Sequence, residues 1–207
     1  MTLRIEQDGR LCRIALALPE KRNALDAAAC LDLLHELRDA DAERSVGAIL
    51  LEADGPVFCA GAEPDDEALF RIGQTVSKPI VAAVQGVAVS GGLALLANAH
   101  VVVAAQGASF GLTEIRDGKW DGAAFEALVW ALGRRRATEL AITGRVFSTP
   151  EALAWGLIHY VAPAFELDDR ASKIATAVAN ANPAALKQAL AYGPLSPKRG
   201  DLEVPPM

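Results

Sequence analysis

Three short stretches hold residue types with which chemistry could be done. In Val57-Phe58-Cys59-Ala60-Gly61-Ala62-Glu63-Pro64 an apolar run enters a turn whose residues 60–62 carry almost no side chain. A ligand can touch the backbone of such a turn, and an N–H there can aim at an oxygen. In Val84-Gln85-Gly86-Val87-Ala88-Val89-Ser90-Gly91-Gly92-Leu93 a buried strand is expected to end, glycines follow, and an apolar helix begins. The first N–H groups of a helix are unpaired and lie at the positive end of its dipole, so an oxyanion would be stabilised there. In Phe110-Gly111-Leu112-Thr113-Glu114 a single carboxylate sits among apolar and small residues. Desolvation would make it more basic and suit it to general-base work. Each stretch also has a plainer reading: a tight turn chosen for packing, glycines that admit a close helix, and a surface glutamate in a loop.

The elements that must position these groups can be read from the pattern. Leu3 to Gln7 and Leu11 to Leu18 are β-like runs, and Asp8-Gly9 between them signals a hairpin. Asp26 is an expected N-cap for a helix to about Glu43, in which Cys30, Leu33, Leu34 and Leu37 recur at helical spacing. Val46–Leu51, Pro79–Val84 and Val101–Ala104 are continuous apolar runs, the mark of strands buried on both faces. Val57–Ala60 and Ser109–Leu112 are short extended segments, and Gly86–Gly92 reads as a turn before a helix over Leu93–Ala97. Helices are expected over 122–132, 137–143, 150–156 and 167–181, a strand over 158–161, and an irregular tail beyond Pro194. Strands alternate with helices, so the class is α/β with largely parallel pairing. The division most worth drawing is between residues 1–165 and a helical segment with tail at 166–207.

Composition narrows the function. Of 207 residues 52% are hydrophobic but only 5% aromatic, so the apolar content is small and aliphatic. That excludes a disordered chain and favours backbone-lined sites over aromatic cages. The net charge of −6, with Arg134-Arg135-Arg136 the one basic cluster, argues against a nucleic-acid partner. The apolar runs are too short to span a bilayer and the N-terminus lacks a signal-peptide layout, so no membrane partner and a cytoplasmic location are expected. Cys12, Cys30 and Cys59 are widely spaced and read as buried small hydrophobes. His35, His100 and His159 fit no metal-ligand spacing, and no metal is expected.

Order and spacing add a further reading. The sequence resembles the crotonase family, the enoyl-CoA hydratases and isomerases. The resemblance rests on Arg22-Asn23-Ala24-Leu25, Phe58-Cys59-Ala60-Gly61-Ala62, Lys78 through Gly86, Ser90-Gly91-Gly92, Phe110 through Glu114, and Glu151 through Leu157, in the family's order. It covers roughly residues 3 to 190, far more than a lone motif. It implies a spiral of ββα units with two near-perpendicular sheets, a shortened C-terminal helical region, and assembly as a homotrimer or dimer of trimers. It also implies an acyl-CoA thioester as substrate, with no cofactor beyond the coenzyme A of that substrate. The thioester carbonyl would lie between the N–H groups of Ala62 and Gly91, an oxyanion hole. Arg22, Ala24 and Ala60 would hold the coenzyme A nucleotide, with Gly61 and Gly92 completing the substrate-facing backbone. Glu114 matches one of the two catalytic glutamates of the family's hydratases.

The second glutamate is missing, because its position is Ala94. Hydration divides its work between two carboxylates; moving a double bond needs one base and an oxyanion hole. The expectation is therefore a Δ3-to-Δ2 enoyl-CoA isomerase with Glu114 as proton shuttle. Asp117 and Asp121 are candidates for a relocated second acid, which would restore hydratase chemistry. A short acidic stretch, 63–67, stands where the family has a longer segment with a helix over the acyl pocket. That leaves a non-catalytic acyl-CoA binder or scaffold as a rival. A serine hydrolase built on Ser90 would need a base, and His100 is the nearest histidine in sequence.

Overall fold

The computed structural model describes residues 2–65 and 67–191. The tail expected beyond Pro194, and Asp66 in the acidic stretch, lie outside the described residues.

Strands β1 (Leu3–Asp8) and β2 (Leu11–Leu16) pair antiparallel, with Asp8 opposite Leu11. The loop is thus Gly9-Arg10, and Gly9 takes the positive φ of 57° that a tight hairpin demands. β2 stops short of the expected Leu18, because Pro19 starts a 3-10 turn. Helix α1 (Ala27–Ala42) is capped by Asp26, whose carboxylate accepts from the Ala29 N–H at 2.9 Å. Its far end is closed by Lys78, whose Nζ donates to the carbonyls of Ala40 and Glu43, a cation placed at the negative end of the helix.

From here the chain winds through a repeated unit. β3 (Ala48–Ala53) leads to β4 (Val57–Cys59) and a 3-10 helix at Glu67–Gln74. β5 (Ile80–Val84) leads to β6 (Val87–Val89) and α2 (Gly91–Ala97). β7 (Val101–Ala105) leads to β8 (Ser109–Gly111), a 3-10 turn at Glu114–Asp117 and α3 (Gly122–Leu132). Next come α4 (Arg134–Thr143), β9 (Val146–Ser148), α5 (Thr149–Ala154), β10 (Tyr160–Ala162), α6 (Leu167–Ala179) and α7 (Pro183–Ala191). The first strand of each unit joins a six-stranded sheet ordered β1-β2-β3-β5-β7-β10, and the second joins a four-stranded sheet ordered β4-β6-β8-β9. This is the α/β spiral of ββα units that the resemblance implies.

The larger sheet is buried on both faces. Ile49, Leu51, Ala82, Val84, Val102 and Ala104 face the main core, between the sheet and the helices of the spiral. Leu50, Val81 and Val103 face the other way, against Leu167, Ala171, Ala175 and Ala179 of α6. That is why β3, β5 and β7 read as unbroken apolar runs. The four α6 residues recur every fourth position and form one stripe. The three alanines among them let α6 come so close that a methyl group on Gly47 would lie 2.1 Å from the Ala179 carbonyl oxygen.

Several elements depart from expectation, α7 over 183–191 among them. Residues 87–89 are a strand inside what reads as a turn, 146–148 form a strand, and 67–74 form a 3-10 helix after the acidic stretch. The three-residue strands are held by their neighbours, β6 by β4 and β8, and β9 by β8. At the edge of the larger sheet β1 exposes every residue after Leu3, and Arg4 pairs with both Glu6 and Asp54 at 2.8 Å. The opposite edge, β10, has three residues, and Arg170 donates to its Val161 carbonyl. No described helix is long and apolar enough to cross a membrane.

Candidate active site

Two backbone turns meet where β4 and β6 end. After β4, the Ala60 N–H donates to the Arg22 carbonyl at 3.1 Å, Leu25 N–H to Gly61 at 3.0 Å, and Glu63 N–H to Leu25 at 3.1 Å. These bonds make a parallel bridge between Leu25 and Ala62. The bridge uses the residues flanking Ala62, so Ala62's own N–H takes no part in it. After β6, the Ser90 N–H donates to Gly111, and the Ser90 carbonyl accepts from Leu93 and Ala94. Gly91 and Gly92 thus open α2 with first-turn N–H groups that have no helical acceptor.

Glycine brings the two turns together. A methyl on Gly91 would lie 2.2 Å from the oxygen and 2.6 Å from the nitrogen of Ala62, and one on Gly92 would lie 2.4 Å from the Cys59 oxygen. Neither the Ala62 N–H nor the Gly91 N–H has an acceptor among the described residues. Two unused donors on touching backbones could stabilise a negatively charged oxygen placed against them.

Glu114 opens the 3-10 turn after β8, and β8 pairs with β6 in parallel with Val89 opposite Gly111. The topology thereby sets Glu114 beside the turn at Ser90. Its Oε2 is buried and has no hydrogen-bond partner among the described residues. Burial pushes the carboxyl above its ordinary 4.5, and the negative charge of Asp121 adds to the rise. The Ser90 hydroxyl and the backbone at Glu114 and Thr113 act against it. Ser90 Oγ lies 3.1 Å from Thr113 Oγ1.

The remaining candidates separate. Arg22 and Ala24 are exposed on the loop that binds the Ala60 turn, so all three share one surface. Asp121 caps α3, accepting from Ala124 N–H at 2.9 Å, yet lies near enough to act on Glu114. Asp117 is exposed. Ala94 is fully buried on α2 and brings no polar side chain. His100 is not placed as a base for Ser90: its Nδ1 accepts from Ile80 N–H and its Nε2 meets the Gly73 carbonyl, both at 2.9 Å. The cysteines are buried and free, with Cys59 pushed up to about 12 and Cys30 to about 11, chiefly by desolvation. The described residues include no cluster of three or more His, Cys, Asp or Glu side chains able to hold a metal.

Sequence reasoning missed two amides. Asn23, fully buried, accepts from Leu18 N–H and donates to the carbonyls of Asp54 and Val57. Gln85 donates to the carbonyls of Ala53, Gly55 and Val57. Together they fix the crossing from β3 to β4, and hence where Ala60–Ala62 emerges. The signal was a lone amide beside an apolar run in each motif. A cavity lies elsewhere: one of about 860 Å³ between α1 and the 67–74 helix is lined by Arg38, Asp41, Glu67 and Arg71, and it includes neither Glu114 nor Gly91.

Comparison with known proteins gives one answer. Residues 6–192 match the family described as enoyl-CoA hydratase/isomerase. The chain is 32% identical over 202 residues to a mevalonyl-coenzyme A hydratase of Aspergillus fumigatus, covering 87% of this chain and 74% of that one. It is 32% identical over 200 residues to a putative enoyl-CoA hydratase of Thermus thermophilus, covering 87% and 79%. The crystal structure of an enoyl-CoA hydratase/isomerase from Pseudoalteromonas atlantica superposes with a TM-score of 0.84 at 29% identity, covering 91% of this chain and 81% of that one.

Proposed function

The chain belongs to the enoyl-CoA hydratase/isomerase family, and from that premise we propose that it converts 3-enoyl-CoA thioesters to 2-enoyl-CoA thioesters. The observation that carries the reading is the buried, unpartnered Oε2 of Glu114, which follows the strand paired with β6 ahead of Gly91. A carboxylate oxygen kept from water and from partners is a stronger base than a solvated one.

The thioester oxygen lies between the N–H groups of Ala62 and Gly91. The Glu114 carboxylate takes a proton from C2. The electron pair of that bond moves toward the carbonyl, and the enolate oxygen is held by the two donors. The protonated carboxyl then delivers its proton to C4, the double bond settles between C2 and C3, and Glu114 is returned to its starting state. No second acid is required, which accommodates Ala94. The coenzyme A nucleotide lies on the surface shared by Arg22, Ala24 and Ala60. The chemistry calls for no cofactor beyond the coenzyme A of the substrate. Assembly as a homotrimer or dimer of trimers belongs to the same reading, supported by large apolar side chains left exposed at Trp120, Ile142 and Phe165.

Hydration is the second reading. It is favoured by the names of the relatives and by Asp121, close enough to Glu114 to raise its proton affinity. Rates on 3-enoyl- and 2-enoyl-CoA substrates of matched chain length decide between the two. Isomerisation should dominate; water addition to the 2-enoyl ester much faster than double-bond movement sinks the proposal. Tight binding of both esters with turnover of neither assigns the chain to acyl-CoA binding instead.

A further inference from the structure

Arg134-Arg135-Arg136, the one basic cluster of the sequence, has no role in the proposed reaction. The triplet opens α4, and the fold brings Arg145, after α4, and Trp155, after α5, to the same place. The Arg136 guanidinium lies over the Trp155 indole, 4.2 Å from the ring centroid, and that of Arg145 lies 5.2 Å from it. Phe147 packs on the same indole at 5.0 Å. The indole is therefore held in place by its neighbours. The charges around it do not balance. Glu139 accepts from Arg136 and Arg145, Glu151 accepts from Arg145, and Glu126 pairs with Arg134 at 3.9 Å. Arg135 has no ion pair or hydrogen bond among the described residues. Arg135, Arg136, Leu132, Glu139 and Trp155 line a cleft of about 430 Å³, within the size range of small-molecule sites.

We propose that this cleft binds a small organic carboxylate, its charged end on Arg135 and its apolar body against Leu132 and Trp155. A planar guanidinium matches a carboxylate with two parallel hydrogen bonds, and the Arg135 fork is not spent on a protein carboxylate. Glu139, the one acid in the lining, is already committed to Arg136 and Arg145, so it does not answer Arg135. A bare inorganic anion would leave Leu132 and Trp155 without a use, and a neutral apolar ligand would leave Arg135 unanswered. The cleft is separate from the candidate active site, since its lining includes none of Ala62, Gly91 and Glu114. The proposal therefore stands whichever reaction the chain performs.

The probe is benzoate, titrated into the full chain at low salt and followed through the NMR signal of the Trp155 indole N–H. Benzoate should shift that signal saturably, and acetate and benzyl alcohol, which keep only the charge or only the ring, should bind more weakly. Arg135→Gln should weaken benzoate about 10- to 100-fold and leave acyl-CoA turnover unchanged. Arg134→Gln removes the same charge from the same helical turn but from outside the cleft, and should leave the affinity little changed. Equal losses in the two variants would reveal diffuse charge attraction and overturn the proposal. Benzyl alcohol binding as tightly as benzoate overturns it too, as does the absence of saturable binding. Displacement of benzoate by coenzyme A would place the probe in the acyl-CoA site and sink the separate cleft.

Discussion

Two places where the backbone turns at the ends of strands are built on opposite plans. At residues 53–57 the carbonyls of Ala53, Asp54, Gly55 and Val57 all accept from the amides of Asn23 or Gln85. At the meeting of residues 60–62 with 90–92, the N–H groups of Ala62 and Gly91 have no acceptor among the described residues, and Glu114 Oε2 has no donor. Both places are close-packed: a methyl on Gly86 would lie 1.9 Å from the Pro56 oxygen, as one on Gly91 would lie 2.2 Å from that of Ala62. Packing is therefore not what distinguishes them. Buried polar groups left unpaired cost stability, so the open meeting of turns is one the fold tolerates and the satisfied crossing is what steadies it.

The largest test of that contrast is Glu114→Gln. Turnover should fall about 10²–10⁴-fold, read in steady-state kinetics. The same variant should melt higher at neutral pH. The sign follows from the raised proton affinity: between 4.5 and its raised value the folded chain holds more protons at this site than the unfolded chain, so stability falls as pH rises through that window. Glutamine removes the penalty, and the variant's melting temperature should lose that part of its pH dependence. In the wild type the acidic limb of kcat/KM should lie above 4.5, because the base must be ionised to act.

Gly91→Ala comes next. The methyl group collides with Ala62 and forces the two donors apart, so turnover should drop about 10²–10³-fold, with a lower melting temperature as well. Asn23→Ala attacks the satisfied crossing. It breaks three hydrogen bonds and leaves alanine at φ 53°, so urea unfolding should show a loss of about 2–4 kcal/mol, with turnover per folded molecule falling far less than in Gly91→Ala. A large catalytic defect with intact stability would erase the distinction between the two places. The smallest effect concerns Cys59, beneath the open turn. With its thiol pushed up to about 12 and its surface fully buried, it should resist alkylation in the native protein and react only on unfolding, as mass spectrometry can show.

What could be read from the sequence divides along the same line. The hairpin at Asp8-Gly9, the cap at Asp26 and the doubly buried runs of β3, β5 and β7 announce themselves locally, because their signals lie within a few residues. β6 and β9 do not. Three residues are too few to display a period, and their partners make them strands. The candidate site was legible as three separate stretches. Their union was not, since Ala62, Gly91 and Glu114 approach one another only through the pairing of β4, β6 and β8. The resemblance to a family supplied that union at the outset. The amide clamp on 53–57 could be seen only once the chain was folded.

The edge at β1 has a consequence of its own. A sheet of six strands ends in unpaired N–H and C=O groups that could template another chain, and a fibril grows from such an edge. Here the outermost strand meets an incoming segment with Arg4 and Glu6, tied further to Asp54, instead of an apolar face. The far edge offers only three residues, and Arg170 already occupies one of their carbonyls. At both ends the molecule is protected from recruiting its neighbours into an endless sheet.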